Sequence, residues 1–217
     1  MKPSFWLEKW AAAQTGFHMD QPHPDLVAQA DAVFAGGPHR VLIPLCGKSH
    51  DLAWLAGRGH TVVGVELART AVEQFLAEHQ RQAHVHEEEG RLRFESGNVT
   101  VHCTDVLTLA PADVGSFDRI WDRAAMVALD PARREAYVRV LRALLRPGGR
   151  ILLNAFTYDQ SQMAGPPHSV PEDEIRERYA GWTVEVLRRG ETITEGKFRD
   201  RGVTAWREDL YCITKPA

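Results

Sequence analysis

The sequence predicts an α/β fold, with a mostly parallel sheet and helices on both faces, in one domain over residues 1–217. Three observations predict it. Short β-branched runs alternate with stretches whose apolar residues recur at helical spacing. The run Arg40 to Ile43 passes through the turn Leu45-Cys46-Gly47 into a helix and then into a strand ending at Glu66. Two late strands follow one another with no helix between them, which places one antiparallel strand near the sheet edge.

The elements follow in order. Ser4 to Ala13 carries Phe5, Trp6 and Trp10 as bulky positions of a short helix that Ser4 can cap and Gly16 ends. Asp25 to Phe34 is amphipathic and is stopped by Gly36-Gly37-Pro38. After the strand Arg40 to Ile43, a helix runs from Ser49 or His50 to Ala56, with Leu52, Leu55 and Ala56 facing inward. Thr61 to Glu66 is a β-branched strand and Thr70 to His79 a helix, whereas Arg81 to Arg91 is polar and reads as a solvated helix end or loop. Leu92 to Phe94 and Val99 to Cys103 flank Glu95-Ser96-Gly97-Asn98, a hairpin turn. Phe117 to Trp121 is a core strand, Pro131 to Leu145 a long helix closed by Arg146-Pro147-Gly148-Gly149, and Arg150 to Phe156 another core strand. Pro171 to Tyr179 reads as helix, and Trp182 to Arg188 and Ala205 to Thr214 as the last two strands.

Composition removes several classes of function. At 44% hydrophobic residues and 217 in all, the chain can bury a sizeable core. A net charge of −3 gives no cationic footprint for nucleic acid. The apolar runs are too short to span a bilayer, and the N-terminus has no apolar signal core, so the expected location is the cytoplasm. Cys46, Cys103 and Cys212 are too widely spaced for a zinc motif or a disulfide framework and predict reduced thiols. His84 and His86 beside Glu87-Glu88-Glu89 lie in a polar run and read as a solvated face, so no metal site is expected. With no heptad repeat, a monomer is expected.

The space beyond the carboxyl ends of the first two strands is where open α/β sheets hold nucleotide-like ligands. Gly47 lets the backbone approach a ligand closely, and Leu45 and Cys46 bring their main-chain groups to the crevice. Glu66, nineteen residues after Gly47 at the end of the next strand, has the placement of a carboxylate that accepts ribose hydroxyls. The turn lacks G-x-G-x-x-G. Gly47-Lys48-Ser49 matches only the tail of a phosphate loop, with Leu42 and Ile43 where its first glycine is required. A ribose-bearing cofactor without phosphates fits this turn, and S-adenosyl-L-methionine is the obvious candidate.

At these residues the chain resembles the thiopurine S-methyltransferase family, in a bacterial-type form. The matching pieces are Trp6 and Trp10 with Gly16-Phe17-His18; Val41 to Ser49 with Asp51; Gly59-His60 with Val63-Gly64-Val65-Glu66; Cys103-Thr104-Asp105; Trp121-Asp122-Arg123-Ala124-Ala125; Arg146-Pro147-Gly148-Gly149; Tyr158-Asp159; and Met163-Ala164-Gly165-Pro166-Pro167. They span nearly the whole chain in order. One departure is His23-Pro24-Asp25-Leu26, where many relatives have an asparagine before the leucines; here Asp25 can serve as the N-cap.

The resemblance implies the class I methyltransferase plan: a Rossmann-like sandwich around a mostly parallel, seven-stranded sheet, with residues 1–38 as a helical lid. It implies that Trp10 packs over the cofactor, that Leu45 and Gly47 contact it at the first strand end and that Glu66 holds its ribose. Asp105 and Val106 should border the adenine. Arg123 falls between the cofactor's methionine end and the acceptor pocket, with Phe17 and Arg201 also toward the acceptor; Arg199 rivals Arg201 for that place.

The implied reaction is in-line displacement at the cofactor's methyl carbon by the sulfur of an aromatic or heterocyclic thiol such as a thiopurine, leaving S-adenosyl-L-homocysteine. Positioning is then the protein's main task. An arginine beside the acceptor favours its thiolate, and no residue is assigned as a general acid or base, His18 reading first as packing. Two alternatives stay open: methylation of inorganic selenium, tellurium, halide or thiol compounds, and a non-catalytic module that binds S-adenosylmethionine. A methyl-transfer screen separates them.

Overall fold

The computed structural model describes residues 3–88, 90–196 and 198–217. Its centre is Arg40–Pro44 (β1), whose last four residues are all buried. Buried on both faces, such a strand needs an apolar residue at every position, and the sequence Val41-Leu42-Ile43 supplies one. Val41 and Ile43 join one core cluster and Leu42 the other. The same alternation recurs in Thr61–Glu66 (β2) and in the strands Leu145–Tyr158 (β7) and Trp206–Thr214 (β9).

The remaining strands are His84–Glu88 (β3), Arg91–Ser96 (β4), Val99–Cys103 (β5), Phe117–Arg123 (β6) and Thr183–Arg188 (β8). Among the described residues they form a nine-stranded sheet in the order β3-β4-β5-β2-β1-β6-β7-β9-β8. The five strands from β5 to β7 are parallel to their neighbours. The flanks are antiparallel, with β9 inserted between β7 and β8 as expected.

Helices cover both faces. Pro24–Val33 (α2), His50–Gly57 (α3) and Arg69–Glu78 (α4) contribute Leu26, Leu52, Leu55 and Phe75 to the cluster that also holds Trp121. Pro111–Val114 (α5), Pro131–Leu144 (α6) and Glu172–Arg178 (α7) contribute Val114, Tyr137, Leu141 and Ile175 to the other. Pro3–Ala11 (α1) lies apart, its Trp10 against Ala68 and Ala71 at the start of α4. No helix among the described residues is long and apolar enough to cross a membrane.

The structure corrects three expectations. The sheet is mixed, with nine strands where seven were expected. Part of the polar stretch from Arg81 is β3, an edge strand exposed along its whole length and held by its ladder to β4. Asp25 does not cap α2. His23 is the N-cap, its Nδ1 accepting from Asp25 N at 3.2 Å, and the Asp25 carboxylate instead accepts from Arg188 Nη2 (2.6 Å) and Asn154 Nδ2 (3.2 Å).

Asp122 is fully buried next to the β6 end. It accepts hydrogen bonds from Tyr137 Oη at 2.8 Å and Met126 N at 3.1 Å, yet burial pushes its pKa up to about 6 from 3.8. A carboxyl that binds its proton more tightly when folded adds stability that is complete below its unfolded pKa and lost as pH rises through the folded one. Two pKa units correspond to about 3 kcal/mol. Relative to Asp122→Asn, the wild-type protein should therefore lose up to about 3 kcal/mol between about pH 4 and pH 7. Urea titrations of both proteins across that range read the difference directly; a constant difference would contradict the buried-carboxyl account.

Candidate active site

The carboxyl ends of β1, β2, β5 and β6 open into one cavity of about 690 Å³, at the edge where such sheets bind ligands. Each strand delivers residues at its end: Leu45 and Gly47 after β1, Glu66 closing β2, Asp105 and Val106 after β5, and Arg123 closing β6. Trp10 and Phe17 line the cavity from the N-terminal segment and Arg201 from the segment before β9. All nine residues singled out in the sequence thus border one space. Arg199 does not; it lines a separate surface depression with Thr194 and Asp200.

The turn after β1 is tightly determined. Leu45 has φ +47° and Gly47 φ +52°, and only glycine holds that conformation without cost. A Cβ on Gly47 would lie 2.9 Å from Trp10 Cζ2, so the helix above leaves no room for one. Ala124, directly after Arg123, has φ +61°. Two non-glycine residues in the left-handed region thus border the same cavity, and strain of this kind collects at functional sites.

Glu66 is 6% exposed. Its Oε2 accepts from Gly47 N and its Oε1 from Ala68 N, both at 2.8 Å. Burial raises its pKa, and these amides pull it back. Each carboxylate oxygen has a second lone pair, so the group is fixed in direction and can still accept from a ligand.

The N-terminal segment forms the roof. Trp10 is 4% exposed and meets Phe17 edge-on at 5.7 Å, and Phe17 meets Trp6 at 5.8 Å. Phe17 O accepts from Arg123 Nη2 at 2.9 Å, so the arginine ties roof to floor. Burial lowers the Arg123 pKa, against the opposing charges of Asp51 and Glu208. Asp51 bridges roof and sheet, accepting from His23 N and from Trp121 Nε1, each at 2.8 Å. The cover contributes described residues from Pro3 to His18 to the cavity wall, while α2 packs into the body of the domain. His18, on the wall, stacks on His50 at 5.5 Å, and burial, assisted by Lys48, lowers its pKa.

Opposite the turn, Asp105 is engaged on both carboxylate oxygens, by Leu107 N at 3.0 Å and Arg133 Nη2 at 3.1 Å. Arg201 Nη1 donates to Pro166 O at 2.9 Å. Pro166, Pro167, Phe156 and Phe198 complete an apolar wall. The sequence reading gave no place in the site to Arg133, Phe156 or Phe198. Gly165-Pro166-Pro167 was a signal for this wall, although its position there depends on the tertiary fold.

The three thiols are free. Burial and the Glu66 charge push the Cys46 pKa well up, and burial raises that of Cys103 to about 11. Neither has the lowered pKa of a catalytic thiol.

The profile of the thiopurine S-methyltransferase (TPMT) family matches residues 1–216. A Pseudomonas putida protein named thiopurine S-methyltransferase is 43% identical over 216 residues, covering 99% of this chain and 100% of that one. A namesake from Pseudomonas fluorescens is 43% identical over 215 residues, covering 98% and 99%. Among solved structures, the Burkholderia thailandensis 1,6-didemethyltoxoflavin-N1-methyltransferase, crystallised with 1,6-didemethyltoxoflavin and S-adenosylhomocysteine, superimposes with a TM-score of 0.65 at 19% identity, over 99% of this chain and 87% of that one. TehB from Haemophilus influenzae gives 0.62 at 18% identity, over 97% and 67%. These two share the fold. Family profile and full-length relatives agree: the chain belongs to the thiopurine S-methyltransferase family of S-adenosylmethionine-dependent methyltransferases.

Proposed function

We propose that the protein transfers a methyl group from S-adenosyl-L-methionine to the sulfur of small aromatic or heterocyclic thiols, the thiopurine class included, releasing S-adenosyl-L-homocysteine. The observation that carries this reading is the lining of the one cavity. A directed carboxylate, Glu66, is held against a turn unsuited to phosphate, and the same space is bordered by a buried arginine, Arg123, and by the aromatic side chains of Phe17, Phe156 and Phe198. The residues fit a nucleoside cofactor: Gly47 leaves no Cβ between backbone and roof, and both Glu66 oxygens keep acceptor capacity.

In this reading the cofactor supplies an electrophilic methyl group on a cationic sulfur. Glu66 accepts the ribose hydroxyls, Leu45 and Gly47 present their backbone, and Trp10 closes the roof. Asp105, braced by Arg133, and Val106 border the base. Arg123 favours the anionic form of the acceptor, since an opposite charge within a few ångströms lowers a pKa. Phe17 and Arg201 shape the acceptor end. No acid–base residue is assigned, because a thiolate needs no further deprotonation. The three free thiols suit a reducing cytoplasm.

Arg123→Ala should lower turnover of an anionic aryl thiol about tenfold or more, and that of a neutral acceptor much less, the difference reflecting roughly 1.5–3 kcal/mol for a hydrogen bond to a charged group. Equal losses on both acceptors would remove the electrostatic role. The same labelled-methyl assay, run on selenite and tellurite, tests the inorganic alternative. The apolar wall of Phe156, Pro166 and Phe198 favours a flat organic ring.

A further inference from the structure

Three segments distant in sequence place metal-binding side chains together beside the cavity. His18 lies on the roof loop, His50 opens α3 and Glu78 closes α4. One potential ligand atom from each lies within 4.8 Å of the others. His79 adds a third imidazole, meeting the His50 ring edge-on at 4.8 Å. Its Nε2 is buried with no hydrogen-bond partner among the described residues, which is costly for a polar atom. Lys48 Nζ lies 2.5 Å from Glu78 Oε1, so the carboxylate of the cluster already holds a cation.

We propose that His18, His50 and Glu78 form a binding site for a zinc-class divalent ion that fastens the roof loop to the body of the domain. Two imidazoles and a carboxylate are a common donor set for zinc, at ligand distances of about 2.0–2.2 Å. Ligand atoms on such an ion stand roughly 3.5 Å apart, so closing the cluster takes side-chain movements of about 1 Å. The ion displaces the Lys48 ammonium from Glu78. Lys48 and His18 both line the cavity, whereas His50 and Glu78 do not. Metal binding thus pins the roof and redirects one positive charge at the cavity mouth, acting on substrate entry and product exit.

The test is titration of the untagged, metal-free protein with zinc chloride, followed by calorimetry, with hydrogen exchange of residues 12–23 as a second readout. The expected result is one site, weakened about tenfold or more in both His50→Ala and Glu78→Gln, with roof-loop exchange slowed by zinc in wild type only. A His84→Ala/His86→Ala variant, which alters the exposed histidines of β3, should bind as wild type does. Absence of a zinc site, or equal affinity in wild type, His50→Ala and Glu78→Gln, would overturn the proposal. So would loss of the site in the β3 variant. Circular dichroism of each variant shows that it is folded, and neither readout depends on methyl transfer.

Discussion

Glu66→Ala should weaken S-adenosylmethionine binding by about 100-fold. Two hydrogen bonds from ribose hydroxyls to a buried carboxylate are together worth about 3 kcal/mol, at the low end of roughly 1.5–3 kcal/mol for each bond to a charged acceptor. The substitution also strips the acceptor from Gly47 N and Ala68 N, so the turn after β1 loses the group that fixes its shape. Glu66→Gln keeps one carbonyl oxygen and the side-chain length and should lose about tenfold, near the lower bound for one charged hydrogen bond. Isothermal titration of the three proteins gives the order. Unchanged affinity in Glu66→Ala would sink the ribose assignment, and cofactor-free melting curves separate loss of binding from loss of fold.

The second large effect is on stability. Arg134→Ala should cost about 2–4 kcal/mol, since it removes a charged hydrogen bond to Glu174, which keeps Arg178 as a partner, and strips the buried Leu129 and Ser169 carbonyls of this donor. Arg134 is fully buried on α6. It donates to Leu129 O (3.3 Å), Ser169 O (3.1 Å) and Glu174 Oε2 (2.7 Å), three acceptors that a planar fork reaches together. Arg134→Lys should recover little, since one ammonium cannot span the same three. Ser169 closely follows Pro166 and Pro167, and His168 N donates to Val127 O at 2.7 Å, so Arg134 also braces the apolar wall of the cavity. Urea denaturation should show the full loss. In protein that stays folded, KM for the acceptor should rise more than KM for the cofactor. A loss below about 1 kcal/mol would mean the site tolerates an empty cation position.

The parallel strands were legible because burial on both faces demands continuous apolar runs, and Val41-Leu42-Ile43 or Ile151-Leu152-Leu153 can serve little else. β3 was not legible. Its sequence, His84-Val85-His86-Glu87-Glu88, has no apolar face, and it is a strand through backbone pairing to β4. β4 was legible from the hairpin turn Glu95-Ser96-Gly97-Asn98, so of the two strands beyond seven only β3 left no trace in composition. Asp25 was misread for a related reason. Its local setting is that of a cap, but Arg188 lies 163 residues away and only the folded chain brings it near. In the site, Leu45, Gly47 and Glu66 could be placed from local pattern, since a strand fixes where its last residues stand, whereas Trp10, Phe17, Asp105, Val106, Arg123 and Arg201 were named through the family resemblance. Phe156, Phe198 and Arg133 reach the cavity through the return path of the late strands and the start of α6, which no spacing rule encodes.

The protected thiols carry one more consequence. An enzyme that alkylates sulfur keeps a potent methyl donor within reach of its own cysteines, and under the proposed reading Cys46 borders that very space. Gly64 makes room for it, since a Cβ there would meet Cys46 Sγ at 2.7 Å. Burial, with Glu66 as a neighbouring negative charge, keeps the Cys46 proton on, and Cys103 with its pKa of about 11 is likewise a thiol at neutral pH. Only the thiolate is a competent nucleophile. Under the proposed reading the pocket would distinguish foreign sulfur from its own by ionisation: the acceptor is an anion beside Arg123, while Cys46 on the cavity wall stays a neutral thiol, which would spare the catalyst from inactivating itself.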